Sequence, residues 1–154
     1  MKKYRIFILF VLFVFTLIAC EPIQEEHGSI DDTLTDGQIS ITVNEVFYGE
    51  ESLFGELPEG EVWLNIEVTL QNVGQTTRNI NSLLMFELED EFDVYEIDIF
   101  IDTFGDLEGS LNVAERKTGI LTFAVSQESE QFRLRFKPDF GPSSGFTVEI
   151  IINE

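Results

Sequence analysis

Cysteine occurs once in this chain of 154 residues, at Cys20, so no intrachain disulfide can form. Histidine also occurs once, at His27, which removes the imidazole that most acid–base and nucleophile-activating schemes need. Cations are scarce: 9 Lys and Arg stand against 29 Asp and Glu, a formal charge of −20. Such a polyanion is a poor partner for nucleic acid or for a bare anionic lipid surface. The chain has no Gly-x-Ser-x-Gly, no phosphate-binding Gly loop and no His-Glu-x-x-His. Carboxylate pairs abound, but in so acidic a chain they arise by chance, and the expectation is a protein that is not an enzyme. Beyond residue 37 no segment carries a convincing helical period.

What is present begins at the N-terminus. Lys2, Lys3 and Arg5 precede an uncharged apolar run from Ile6 to Ile18. Thirteen helical residues rise only about 20 Å, too short to span a hydrocarbon core of roughly 30 Å. A short apolar stretch behind positive charge reads as an export signal rather than a permanent anchor. Leu17-Ile18-Ala19-Cys20 closes it, and this quartet resembles the lipobox of bacterial lipoproteins. The resemblance implies cleavage after Ala19, a lipid on the sulfur of Cys20 and a palmitate-type anchor at the extracytoplasmic face of the cell membrane. Loss of residues 1–19 would leave six cations against 29 acids, a formal charge of −23.

Residues 20–37 carry Pro, Gly, Ser and several acids without an apolar period, so they are expected to be the lipidated cysteine and a flexible acidic tether. Residues 38–154 are expected to form one β-domain. Ile39, Ile41 and Val43 alternate with polar residues, and Val46-Phe47-Tyr48 resumes the run after a phase change. Val62, Leu64, Ile66, Val68 and Leu70 alternate with Trp63, Asn65, Glu67 and Thr69 until the turn at Asn72-Val73-Gly74. Further strands are expected over 83–88, 94–101, 119–125, 132–136 and 146–152, with 103–117 open between loop, strand and helical turn. Seven short strands separated by Gly, Asn, Asp and Pro turns predict an all-β, antiparallel sandwich, each sheet with one buried and one wet face.

These pieces, in this order, resemble the immunoglobulin-like extracellular domains found on lipoproteins of Gram-positive bacteria, a family related to a secreted immunoprotective antigen. The segments that carry the resemblance are Trp63 to Gly74, Phe86 to Asp90 with Tyr95, Gly119 to Val125 and Phe132 to Pro138. One departure stands out: Val113-Ala114-Glu115 replaces the family's frequent Pro-Gly. The resemblance implies an immunoglobulin-like β-sandwich of about seven strands on the cell surface and supplies no catalytic residues.

Two clusters are candidates for chemistry. Glu89, Asp90, Glu91 and Asp93 lie in the densest acidic stretch, with Asp98, Asp102 and Asp106 beyond. Hard cations need six to eight oxygen ligands, so a turn here could hold Ca²⁺, although the spacing is not that of an EF-hand. Arg133, Arg135 and Lys137 alternate with Phe132, Leu134 and Phe136 and should form a basic stripe on one strand. That stripe could contact a partner or pair with acids such as Glu149. The sequence thus predicts a surface-tethered binding module of unknown ligand, with a membrane bound through Cys20 and another envelope protein as partners. A Ca²⁺-dependent lipoprotein using residues 87–106 is the alternative.

Overall fold

A computed structural model describes residues 26–49, 57–97, 107–138 and 145–152. They form eleven strands and one helical turn. The strands are β1 (Glu26–Ser29), β2 (Thr33–Thr35), β3 (Ile39–Gly49), β4 (Glu61–Asn72), β5 (Arg78–Ile80), β6 (Phe86–Glu89), β7 (Val94–Tyr95), β8 (Gly109–Leu111), β9 (Arg116–Ser126), β10 (Gln131–Phe136) and β11 (Phe146–Ile151). The helical turn, α1 (Ser82–Met85), lies between β5 and β6.

Two sheets pack face to face. One has the order β2-β3-β4-β9 and the other β1-β11-β10-β6-β7, while β5 and β8 make a separate ribbon. The alternation of β4 places Leu64, Ile66, Val68 and Leu70 in the core without exposure. Facing them are Leu88, Phe132, Leu134, Phe136, Val148 and Ile150. Phe136 stacks between Phe86 and Phe146, with ring centroids 4.7 Å and 6.0 Å away. The phase change expected in β3 is a register shift between Val43 and Glu45, which returns the later residues to pairing with β4. On the outer face Thr33, Thr42, Thr69 and Thr118 lie in one row across the four strands. Hydroxyls bond across the row from Thr33 to Thr42 and from Thr69 to Thr118, at 2.7 and 2.8 Å.

Strand directions define two ends of the sandwich. β9 runs toward the turn at 127–130, and β10 returns from it. One end therefore holds that turn, the β6–β7 hairpin and the start of β4. The opposite end holds Glu26, Phe86, Phe136 and Phe146, the turns after Asn72 and before Arg116, and α1. We term these the far end and the near end, since the chain enters the domain at Glu26.

Two expectations are revised, and two more are resolved within their described parts. The stretch expected as a flexible tether over 20–37 is paired from Glu26 onward, so the domain begins well before residue 38. Glu26 to Ser29 pairs in parallel with Phe146 to Glu149, and Thr33 to Thr35 pairs with β3. The physical reason is local. Leu34 is buried, and Gly28 lets the two strands close up, because a Cβ there would sit 2.8 Å from Leu34 Cδ2. The acids that looked like solvated tether close turns instead: Asp32 accepts from Ser29 N–H, and Asp36 Oδ1 accepts from the N–H groups of Gln38 and Ile39.

The strand expected over 83–88 begins at Phe86, because Asn81 caps a helical turn over Ser82–Met85. Of the strand expected over 94–101, Val94 and Tyr95 pair with β6 and Ile97 bridges to Phe123, while 98–101 lie outside the described residues. Segment 103–117, left open above, contains β8 and the start of β9 within its described part.

The turn that departs from Pro-Gly is closed differently. Ala114 adopts a left-handed φ of 64°, and Glu115 accepts hydrogen bonds from the N–H and side-chain amide of Asn112. Those bonds hold the Glu115 carboxyl below the usual carboxylate range. Asn72 secures the same region from within. Its buried amide donates to the carbonyls of Thr76 and Leu111 at 2.8 and 2.9 Å, and its Oδ1 accepts from Gly74 N–H.

Candidate functional site

The two charged clusters singled out in the sequence meet on one surface. β6 pairs antiparallel with β10, and side chains of alternate residues rise on the wet face of that pair. Arg133 Nε lies 3.0 Å from Glu89 Oε1, Arg135 Nη1 lies 3.3 Å from Glu89 Oε2, and Lys137 Nζ lies 3.0 Å from Glu87 Oε2. The cations pair with β6 rather than chiefly with Glu149, which stands across from Arg133 in the register of β11. Each such partly exposed pair contributes about 0.2–1 kcal/mol. The stripe is thus an ion-pair ladder, and Glu89 is committed to it.

Asp90 is committed elsewhere. It opens the four-residue loop 90–93 between β6 and β7 and is only 8% exposed. Its Oδ1 accepts from the N–H groups of Phe92 and Asp93, both at 2.7 Å. Its Oδ2 accepts from Tyr95 Oη at 2.7 Å and from Ser129 Oγ. Burial works against the ionised form, but the bonds from Ser129, Asp93, Tyr95 and Phe92 outweigh it and hold the carboxyl at about 2 rather than 3.8. Its loop neighbours Glu91, Phe92 and Asp93 are exposed, so the carboxyl lies close to the molecular surface. Burial and the Asp90 carboxylate raise the Tyr95 hydroxyl above its usual range.

Glu89, Asp90, Glu91 and Asp93 therefore do not converge as the Ca²⁺ expectation required. Glu89 pairs with Arg133 and Arg135 and Asp90 with its own hairpin and Ser129, while Glu91 and Asp93 stand exposed on the hairpin. Among the described residues no group of three His, Cys, Asp or Glu side chains is arranged to hold a metal ion. Asp98, Asp102 and Asp106 lie outside the described residues, as does Cys20. Among the described residues no helix is long and apolar enough to cross a membrane.

The feature the sequence did not reveal is a half-open groove of about 670 Å³ at the far end. The hairpin 90–93 forms one wall, the turn at 126–130 another, and the ends of β10 and β11 the floor. Six acids line it, Asp90, Glu91, Asp93, Glu128, Glu130 and Glu149, against one cation, Arg133. Phe92 at the hairpin tip is 79% exposed, and Ile151 and Val94 are also exposed nearby. Asp-Glu-Phe-Asp reads in sequence as an Asx turn, so the hairpin was legible. Ser129 carries no such signal, because only the fold brings it to Asp90. An acidic, concave surface with an exposed aromatic ring suits a partner segment that offers a cation beside an apolar side chain.

Comparison with known proteins supports the fold. The model of a family described as a domain of unknown function (DUF4352) matches residues 28–147. No curated protein matches the chain. Among solved structures, YjhA of Bacillus subtilis superposes with a TM-score of 0.66 at 22% identity, covering 82% of this chain and 99% of its own. YcdA of the same organism, provisionally named a lipoprotein, gives 0.68 at 20% identity over 80% of this chain. This chain spans only 39% of the YcdA chain. MPT63, a secreted protein of Mycobacterium tuberculosis, gives 0.59 at 12% identity, covering 83% and 98% of the two chains. At these identities the likeness is one of fold, an immunoglobulin-like β-sandwich.

Proposed function

The chain belongs to the DUF4352 family, and on that premise we propose that it is a lipid-anchored, extracytoplasmic binding module, not an enzyme, that presents its far-end groove to a cationic segment of an envelope protein. The groove carries this reading, because six carboxylates against one cation line a concavity with Phe92 exposed at its rim, a surface complementary to a cation beside an apolar side chain. The lipobox-like Leu17-Ile18-Ala19-Cys20 supports export and acylation of Cys20. A provisional lipoprotein and a secreted protein among the fold neighbours agree with life outside the cytoplasm. Two acyl chains on the mature N-terminus would give stable attachment.

Asp90 supports binding over catalysis. A general acid at neutral pH needs a raised pKa and a general base needs one near the working pH. Asp90 is held at about 2 with both oxygens occupied, which fixes the groove wall and leaves nothing to transfer.

The test is a photo-crosslinking residue in place of Ile151 in the exporting cell, with the same residue in place of Thr118 on the opposite sheet as control. An adduct from position 151 that is lost with Phe92→Ser and Asp93→Asn is expected. Equal or absent adducts from both positions would remove the groove from consideration. Cys20→Ala should abolish labelling by radioactive palmitate, and persistent labelling would refute the anchor.

A further inference from the structure

We infer that the near end of the sandwich is a membrane-contacting face, in which Leu83, Leu84, Val73 and Val113 rest in the headgroup region of a phospholipid bilayer. This rests on the reading of Cys20 as the lipid anchor.

Chain length is the first argument. Six Cα steps separate Cys20 from Glu26, which reach at most about 20 Å. Glu26 pairs with Phe146, at the near end. β4 alone has 12 residues, about 40 Å of extended chain. An anchored molecule thus keeps Glu26 at its near end within about 20 Å of the lipid and cannot stand upright on its far end.

Apolar exposure is the second argument. Among the described residues the large exposed hydrophobic side chains fall at the two ends, with Phe47, Tyr48, Phe92, Val94 and Ile151 toward the far end around the groove and the start of β4. Val73, Leu83, Leu84 and Val113 are at the near end. Leu83 and Leu84 are 49% and 61% exposed, and the fold enforces it. In a single helical turn the first and fourth residues share a face, so Ser82 and Met85 go inward and the two leucines go outward. Lys137 N–H donates to the Met85 carbonyl at 2.7 Å and clamps the turn against β10. Val73 and Val113 sit on adjoining turns, tied by hydrogen bonds between Asn72 and both Ala114 and Glu115.

Charge is the third. Of the six cations after residue 20, Arg78, Arg116, Lys117 and Lys137 belong to near-end elements. Lys137 pairs with Glu87, Lys117 lies by Glu115 and donates to the Glu108 carbonyl, and Glu26 and Asp36 add acid there, so among the described residues four cations at this end stand against five acids. At the far end Asp90, Glu91, Asp93, Glu128, Glu130 and Glu149 line the groove with Arg133 as its one cation among the described residues, and Glu61 starts β4 at the same end. A body so polarised, tied to an anionic surface, turns its less acidic end toward the lipid and its more acidic end away. Tethering makes the contact intramolecular, so four weakly inserting side chains suffice to hold an orientation.

The experiment uses the full lipidated protein in vesicles of phosphatidylglycerol and phosphatidylethanolamine that carry a nitroxide on a fraction of the headgroups. Acylation occupies the Cys20 sulfur, so one introduced thiol can be labelled with a fluorophore. Three single variants are labelled, Leu84→Cys, Val113→Cys and Phe92→Cys. Fluorophores at 84 and 113 should be quenched several-fold more than one at 92. Adding Leu83→Glu and Leu84→Glu should return the label at 113 to the level seen at 92. Flotation with the vesicles but equal quenching at all three positions would overturn the orientation and leave the anchor standing. Failure to float with the vesicles would overturn both.

Discussion

Ser129 donates its hydroxyl hydrogen to Oδ2 of Asp90, a residue 39 positions earlier in the chain, and so ties the β9–β10 turn to the β6–β7 hairpin. This one bond joins the two walls of the far-end groove. It also explains why an aspartate that looked like a cation ligand is a structural hub.

Asp90 should make the domain acid-sensitive in a defined window. Its folded pKa of about 2 lies below the ordinary 3.8, so the fold favours the ionised form. The stability it supplies is complete above about pH 4 and is lost as pH falls toward 2. The amount is on the order of 1–2 kcal/mol, reduced from the full shift because the loop lies at the surface. Urea midpoints of residues 21–154 between pH 5 and 2 should fall, and Asp90→Asn should flatten that part of the curve while lowering the midpoint at pH 7.

Calcium should leave the domain unchanged. A ligand at 100 times its dissociation constant stabilises by about 2.7 kcal/mol, several degrees in a domain of this size. Melts in chelator and in millimolar Ca²⁺ at matched ionic strength should coincide, because Glu89 serves Arg133 and Arg135 while Asp90 serves its own hairpin. A clear upward shift would restore the metal reading.

Asn72→Asp should be among the most damaging polar substitutions at the near end. The buried amide donates two hydrogen bonds to backbone carbonyls, and a carboxylate can donate neither. The expected loss is about 2–4 kcal/mol, read as a fall in urea midpoint at constant slope.

Ala114→Gly should stabilise. Ala114 holds a φ of 64°, which costs an L-residue about 1–2 kcal/mol, and glycine removes that cost at the expense of unfolded-state entropy. The net gain should be about 0.5–1 kcal/mol in the same titration. A loss would mean that the methyl group packs usefully.

The strands with strict alternation were readable in advance, because a period of two needs only local sequence. β4, β10 and β11 show the expected inward sets, down to Leu64, Leu134 and Ile150. The break in β3 was readable for the same reason. Short strands of three or four residues were not. Glu26–Ser29 and Thr33–Thr35 contain one buried leucine and otherwise look like linker, since their stability comes from edges supplied by β11 and β3. Leu83 and Leu84 read as strand for want of any view of Asn81 closing a helical turn.

The site divides in the same way. Sequence alone determined that Arg133, Arg135 and Lys137 would share a face and that the acids of 87–93 would be dense. It also marked Cys20 as the residue to test for a lipid, because a signal of that kind is read from a linear stretch of chain. Tertiary structure decided that the two charged clusters neutralise one another, that Asp90 is spent on Ser129 and Tyr95, and that an acidic groove opens at one end. It decided, too, which end the chain enters. Most of those outcomes depend on pairings between distant residues, such as Ser129 with Asp90 and Arg135 with Glu89, and a side chain's neighbours across a sheet are fixed by strand order and register rather than by its neighbours in sequence.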